Sequence, residues 1–173
     1  MDALIPSGGQ FSGKAATDGG LLQLVTFNLD DEEYAIDILK VQEINRMTAI
    51  TKIPNAPYHV EGVVNLRGRV IPVVNLRKKL AMAEREHNEQ SRIMIMDIQG
   101  SIMGLIVDAV SEVLRIPANI VEPPPPLSMG ISTEYIKGIA KLEDRLIILV
   151  DLGKLFGIGD IALIGEAATQ TAA

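Results

Sequence analysis

The chain has 173 residues, 47% of them apolar, yet it carries only three Phe and three Tyr, with no Trp and no Cys. Without cysteine there is no disulfide framework, thiol nucleophile or Cys-ligated zinc, which fits a reducing compartment. Sixteen basic against 22 acidic residues leave a net charge of −6, an argument against a strongly phosphate-binding protein.

Residues 7–20 are rich in Gly, Ser and Ala, and residues 1–20 read as a flexible N-terminal arm. They hold no basic region or long apolar stretch. The aliphatic run Leu146–Val150 is far short of the ~20 residues that span a bilayer. The expected location is therefore the cytoplasm, with no direct membrane insertion. Period-two alternation predicts a strand over 22–29, an acidic turn at Asp30-Asp31-Glu32, and a partner strand over 34–38. One helical turn leads into a third strand from Val41. A hairpin follows over 62–74, with its tip at Leu66-Arg67-Gly68-Arg69, where Gly68 suits positive φ. Pro72 inside this strand pattern predicts an edge strand or a bulge. A short helix and a polar connector, 84–90, close this half. The same grammar then recurs: strands over 93–97 and 103–107, a third strand from Val110, a stiff spacer at Pro123–Pro126, a hairpin over 138–150 and a short helix. From about Gly159 a short helical pattern runs into an Ala/Thr tail.

This recurrence is a duplication. Residues 62–80 lie on 138–156 without a gap at an offset of 76, matching Gly62 with Gly138, Leu66 with Leu142 and Arg69 with Arg145. Residues 27–44 lie on 96–113 at an offset of 69, matching Val41 with Val110 and Glu43 with Glu112. The expected domains are the arm 1–20, one barrel from 21–88, a second from 89–158, and a tail over 159–173. The expected fold is mainly β: two packed five-stranded barrels with short helices, whose narrow interiors suit Ile, Leu and Val. Gly62 and Gly138, kept by both copies, read as structural turn residues.

Catalytic parts are absent from this pattern. His59 and His87 lack metal-ligand spacing, so no metal or other cofactor is expected. Asp30-Asp31-Glu32-Glu33 reads as a solvated hairpin tip. Gly8-x4-Gly13-Lys14 fails as a phosphate loop, since Ala15 stands where Ser or Thr would hold magnesium. There is no nucleophile elbow or dinucleotide fingerprint, and no basic stripe with aromatic stacking for nucleic acid. A non-enzymatic chain acting through its surface is the remaining reading. Arg67 beside Gly68 is either an ordinary exposed hairpin arginine or an anchor for a partner's carboxylate or carbonyls. The strands at Val41–Ile44 and Val110–Val113 either belong to the core or line a groove for an amphipathic helix. A small barrel enzyme using Glu43, Arg67 and Glu112 would require those side chains to converge.

The segments DEEYAIDILKVQEI (31–44), GVVNLRGRVIPVVNLR (62–77), GLIVDAVSEVL (104–114) and STEYIKGIAKLEDRLIILVDLGKLF (132–156) closely resemble the bacterial chemotaxis coupling proteins of the CheW family, over about residues 21–164. The resemblance implies two SH3-like barrels and a scaffold joining methyl-accepting chemotaxis receptors to the histidine kinase CheA in arrays beneath the inner membrane. It implies a receptor-facing groove with Val41, Glu43, Ile44, Arg67, Gly68, Val110 and Val113. A paralogue of the same fold in another sensory pathway is the alternative.

Overall fold

The computed structural model describes residues 20–124, 134–157 and Ile164. The arm 1–19, Pro125, Pro126 and most of the tail lie outside the described residues. In chain order the elements are a hairpin of β1 (Leu21–Leu29) and β2 (Glu32–Asp37), a 3-10 turn (Ile38–Lys40) and β3 (Val41–Arg46). A second hairpin, β4 (Val60–Leu66) and β5 (Arg69–Asn75), runs into α1 (Leu76–Lys79). Then come β6 (Arg92–Ile98), β7 (Ser101–Val107), β8 (Ala109–Pro117), a 3-10 turn (Ala118–Ile120) and β9 (Val121–Glu122). The hairpin of β10 (Ile136–Leu142) and β11 (Arg145–Val150) and the short helix α2 (Leu152–Leu155) complete the second round.

The fold is mainly β, as expected, but its sheets do not follow the two halves of the chain. One sheet, barrel I, has the order β8-β1-β2-β11-β10-β9; the other, barrel II, has the order β3-β6-β7-β5-β4. The expected assignment of one barrel to 21–88 and the other to 89–158 is thereby corrected, because the halves exchange their first hairpins. β1–β2 is inserted between β8 and β11, and β6–β7 between β3 and β5. The two insertions have the same register. Parallel β11–β2 pairs Leu149 with Ala35, and parallel β5–β7 pairs Val73 with Gly104. Antiparallel β1–β8 pairs Thr26 with Glu112, and β6–β3 pairs Ile95 with Glu43. Each correspondence preserves the offsets of 69 and 76 seen in the sequence.

Both barrels close the same way. Thr51 and Val63 exchange backbone hydrogen bonds of 2.9 Å each, and β9 pairs with β10 at the equivalent place. The glycines sit at these seams rather than in turns. Gly62 has φ +151°, and a Cβ there would meet the Thr51 carbonyl oxygen at 2.1 Å. At Gly138 a Cβ would meet Val121 Cγ1 at 2.6 Å. Pro72 is neither at an edge nor at a bulge, since β5 lies between β7 and β4. Its partner Val63 spends both backbone groups on Thr51, and the ladder to β7 begins only at Val73, so no donor is missed.

Three clusters make up the main core. Leu24, Ala35, Ile116, Ala140, Ile147 and Leu149 fill barrel I, while Val64, Ile71, Val73, Ile93, Ile95 and Ile106 fill barrel II. The alternate residues of the exchanged hairpins form the third. Val25, Phe27 and Leu29 of β1 pack with Met94, Met96 and Ile98 of β6 between the barrels. These strands are buried on both faces, so the period-two pattern turns into a continuous apolar run.

Candidate functional site

The duplication places β3 and β8 at equivalent positions in their barrels. After the bulge that follows Val41, Glu43 lies opposite Ile95 with its carboxylate reaching solvent, and Ile44 lies opposite Met94 on the outer face. In β8, Val113 lies opposite Val25 and Val110 opposite Phe27, both partners belonging to the inter-barrel core. Val41 and Val110 are half-buried against that core. Ile44 and Val113 continue the same outer faces into solvent, 38% and 54% exposed. The two equivalent apolar strips thus border the junction of the barrels.

Glu43 and Arg67 meet in a bidentate ion pair, Nη2 donating to Oε1 at 2.7 Å and Nη1 to Oε2 at 3.0 Å. Arg67 has φ +53° and Gly68 φ +83°, and the Gly68 amide donates to Asn65 Oδ1 at 2.9 Å. This two-residue turn is the type in which both central residues take positive φ, which glycine does freely. The turn brings the arginine back over the open end of barrel II. Hydrogen bonds from Arg67 hold the Glu43 carboxyl below its ordinary range, and the same contact raises Arg67. The guanidinium remains 76% exposed and keeps donors for another acceptor.

Glu112 does not join this pair. It lies in barrel I and accepts from Arg145 Nη2 at 2.6 Å, while Arg145 Nε approaches Glu33 at 3.5 Å. The convergence that a barrel enzyme would need is therefore not present. Arg145 is equivalent to Arg69, so the two barrels use different arginines for equivalent glutamates. A cleft of about 380 Å³ on barrel I, between Leu22, Ile36, Leu39 and Val121, contains none of the expected site residues.

One group escaped the sequence reading. Arg77 of α1 is buried, and its guanidinium donates to Asp108 Oδ2 at 2.7 Å, Asp30 Oδ1 at 2.8 Å and the Ala83 carbonyl at 2.8 Å. Asp30, exposed at the expected hairpin tip, also ties the exchanged hairpin of barrel I to the helix of barrel II. The duplicate offers a signal: Arg77 corresponds to Gly153, a difference at an otherwise matched place.

Comparison with known proteins gives this architecture a lineage. The model of the CheW-like domain matches residues 23–158. A chemotaxis protein CheW from Klebsiella aerogenes is 38% identical over 84% of this chain and 88% of its own length. The CheW of Treponema pallidum is 37% identical over 78% of this chain and 81% of that protein. The crystal structure of the scaffolding protein TtCheW from Thermoanaerobacter tengcongensis superposes with a TM-score of 0.73 at 44% identity, covering 80% of this chain and 94% of that one. The chain belongs to the CheW-like family of chemotaxis adaptor proteins.

Proposed function

We propose that this protein is a non-catalytic scaffold that couples methyl-accepting chemotaxis receptors to the histidine kinase CheA, working in the cytoplasm at receptor arrays. The observation that carries this reading is the pair of equivalent apolar strips, Val41–Ile44 and Val110–Val113, flanking the junction of the barrels. An amphipathic receptor helix would bury its apolar face along them. Arg67, turned by Gly68 and steadied by Glu43, would supply a polar anchor at one end of the groove. The scaffold would act by holding receptor and kinase in fixed geometry, so that receptor states bias the kinase equilibrium through differential contacts. Individually weak interfaces gain strength by avidity in an array.

The test is reconstitution of receptor cytoplasmic fragments, CheA and this protein. The wild type is expected to raise kinase autophosphorylation. Ile44→Glu and Val113→Glu, both on exposed positions, are expected to abolish receptor capture while leaving the circular dichroism spectrum unchanged. Wild-type capture by both variants would remove the groove from consideration.

A further inference from the structure

At the end of β3 two arginines stand directly opposite each other: Arg46 pairs with Arg92 of β6. Directly opposed side chains in an antiparallel pair have Cβ atoms about 4.5–5.5 Å apart, and like charges there are destabilising. An anion placed between them would offset that repulsion. Among the described residues neither guanidinium reaches a carboxylate, although acidic residues outnumber basic ones. By contrast Arg67, Arg77, Arg85 and Arg145 all have carboxylate partners. Arg92 is fixed by donating Nη1 to the Glu89 and Ser91 carbonyls, at 2.8 Å each. Arg46 is exposed and makes no such contact. The arrangement belongs to one barrel: Arg115, the equivalent of Arg46, faces Gln23.

The position of the pair identifies what would meet it. Arg46 is two residues beyond Ile44 and shares its outer face, with no bulge between them. Two residues of strand advance about 6.6 Å, close to the roughly 5.4 Å of one helical turn. We propose that Arg46 and Arg92 receive a carboxylate of the partner helix, carried one turn beyond the apolar residue that packs on Ile44. This rests on the receptor-groove reading above and adds a chemical requirement to it: an Asp or Glu at three or four residues from the apolar contact. Arg92, held by the two carbonyls, presents its guanidinium in a set orientation, and Arg46 closes on the carboxylate from the opposite strand.

Charge reversal makes the test decisive, because fold and binding move in opposite directions. Arg46→Glu creates an attractive pair with Arg92, so the melting temperature rises. The same substitution weakens binding to a receptor cytoplasmic fragment about tenfold, the loss of one charged contact. It also flattens the dependence of affinity on salt, and a receptor Asp or Glu→Lys variant one turn from the apolar contact recovers binding. Arg115→Glu serves as the control and leaves affinity unchanged. Wild-type affinity in Arg46→Glu, or an equal loss in Arg115→Glu, overturns the proposal. If Ile44→Glu loses binding while Arg46→Glu keeps it, the groove survives and this inference alone fails. Adsorption of wild type, but not Arg46→Glu, to vesicles of phosphatidylcholine and phosphatidylglycerol in equal parts, with receptor affinity unaltered, assigns the arginines to a lipid headgroup and overturns it as well.

Discussion

The Glu43 carboxyl sits below its ordinary value of 4.5 chiefly because Arg67 donates hydrogen bonds to it, with partial burial acting the other way. A carboxyl depressed in the folded state contributes stability above its unfolded value and loses that contribution as pH falls through the folded one. Arg67→Ala removes the main cause, so Glu43 should titrate at higher pH in that variant. Carbon-detected titration of the glutamate carboxyls measures this, and an unmoved Glu43 would assign the depression to another group. Both partners face water, so the unfolding midpoint should barely change. Arg77 is a different case. Its side chain is 7% exposed and that of Asp108 is 11% exposed, so removing one partner strands a buried charge. Arg77→Met should cost on the order of 3 kcal/mol in urea unfolding, part of which Arg85 spares by remaining near Asp108. A double variant that also replaces Asp108 with Leu should regain stability relative to the single one. A single-variant cost below about 1 kcal/mol would mean that water already reaches the site. The duplication shows Arg77 to be unlike Gly153, but not what it binds. Its acidic partners lie 31 and 47 residues away along the chain, a distance that no local pattern spans.

At the scale of elements the strands, their order within a half and the hairpin tips were legible, because alternation and turn chemistry are local. Arg67-Gly68 was identifiable as a tip from Gly68 alone, and positive φ is found there. Proline lacks a donor, so Pro72 inside a strand pattern predicts an edge or a bulge, whereas the donor is simply not required: Val63 faces Thr51 instead. That closure joins residues on opposite margins of the sheet and is invisible to strand periodicity. The same seam explains the glycines. Gly62→Ala forces a Cβ against the Thr51 carbonyl at 2.1 Å and at φ +151°, and both the backbone conformation and the contact resist it. The expected loss is roughly 2–4 kcal/mol. Gly138→Ala meets the Val121 side chain and the Glu122 carbonyl at 2.6 and 2.8 Å without a positive φ, so its loss should be smaller, about 1–3 kcal/mol. Guanidinium unfolding of the two variants ranks them, and the reverse order would mean that the seam of barrel I is the stiffer one.

For the whole molecule the hairpin exchange governs how the chain can be divided. Each half contains a full set of strand patterns, so nothing local distinguishes a hairpin that stays with its own half from one that crosses to the other. The register is the same in either arrangement. In the exchanged arrangement β1–β2 and β6–β7 present a large apolar surface to each other, including Phe27, Met94 and Met96, all fully buried. It follows that residues 21–88 hold three strands of barrel II and two of barrel I, and cannot complete either sheet. Residues 41–107 instead contain every strand of barrel II in one continuous piece. Expressed separately, 21–88 should be unfolded by circular dichroism and amide dispersion. The 41–107 piece should show β structure but expose Met94, Met96 and Val74, and therefore self-associate and bind an apolar dye. Mixing it with a fragment that joins 21–40 to 108–158 through a short linker should suppress dye binding, because that fragment supplies the other face of the inter-barrel core. A folded, monomeric 21–88 would mean that the sheets can form within one half, and that exchange is a consequence of linkage rather than of packing.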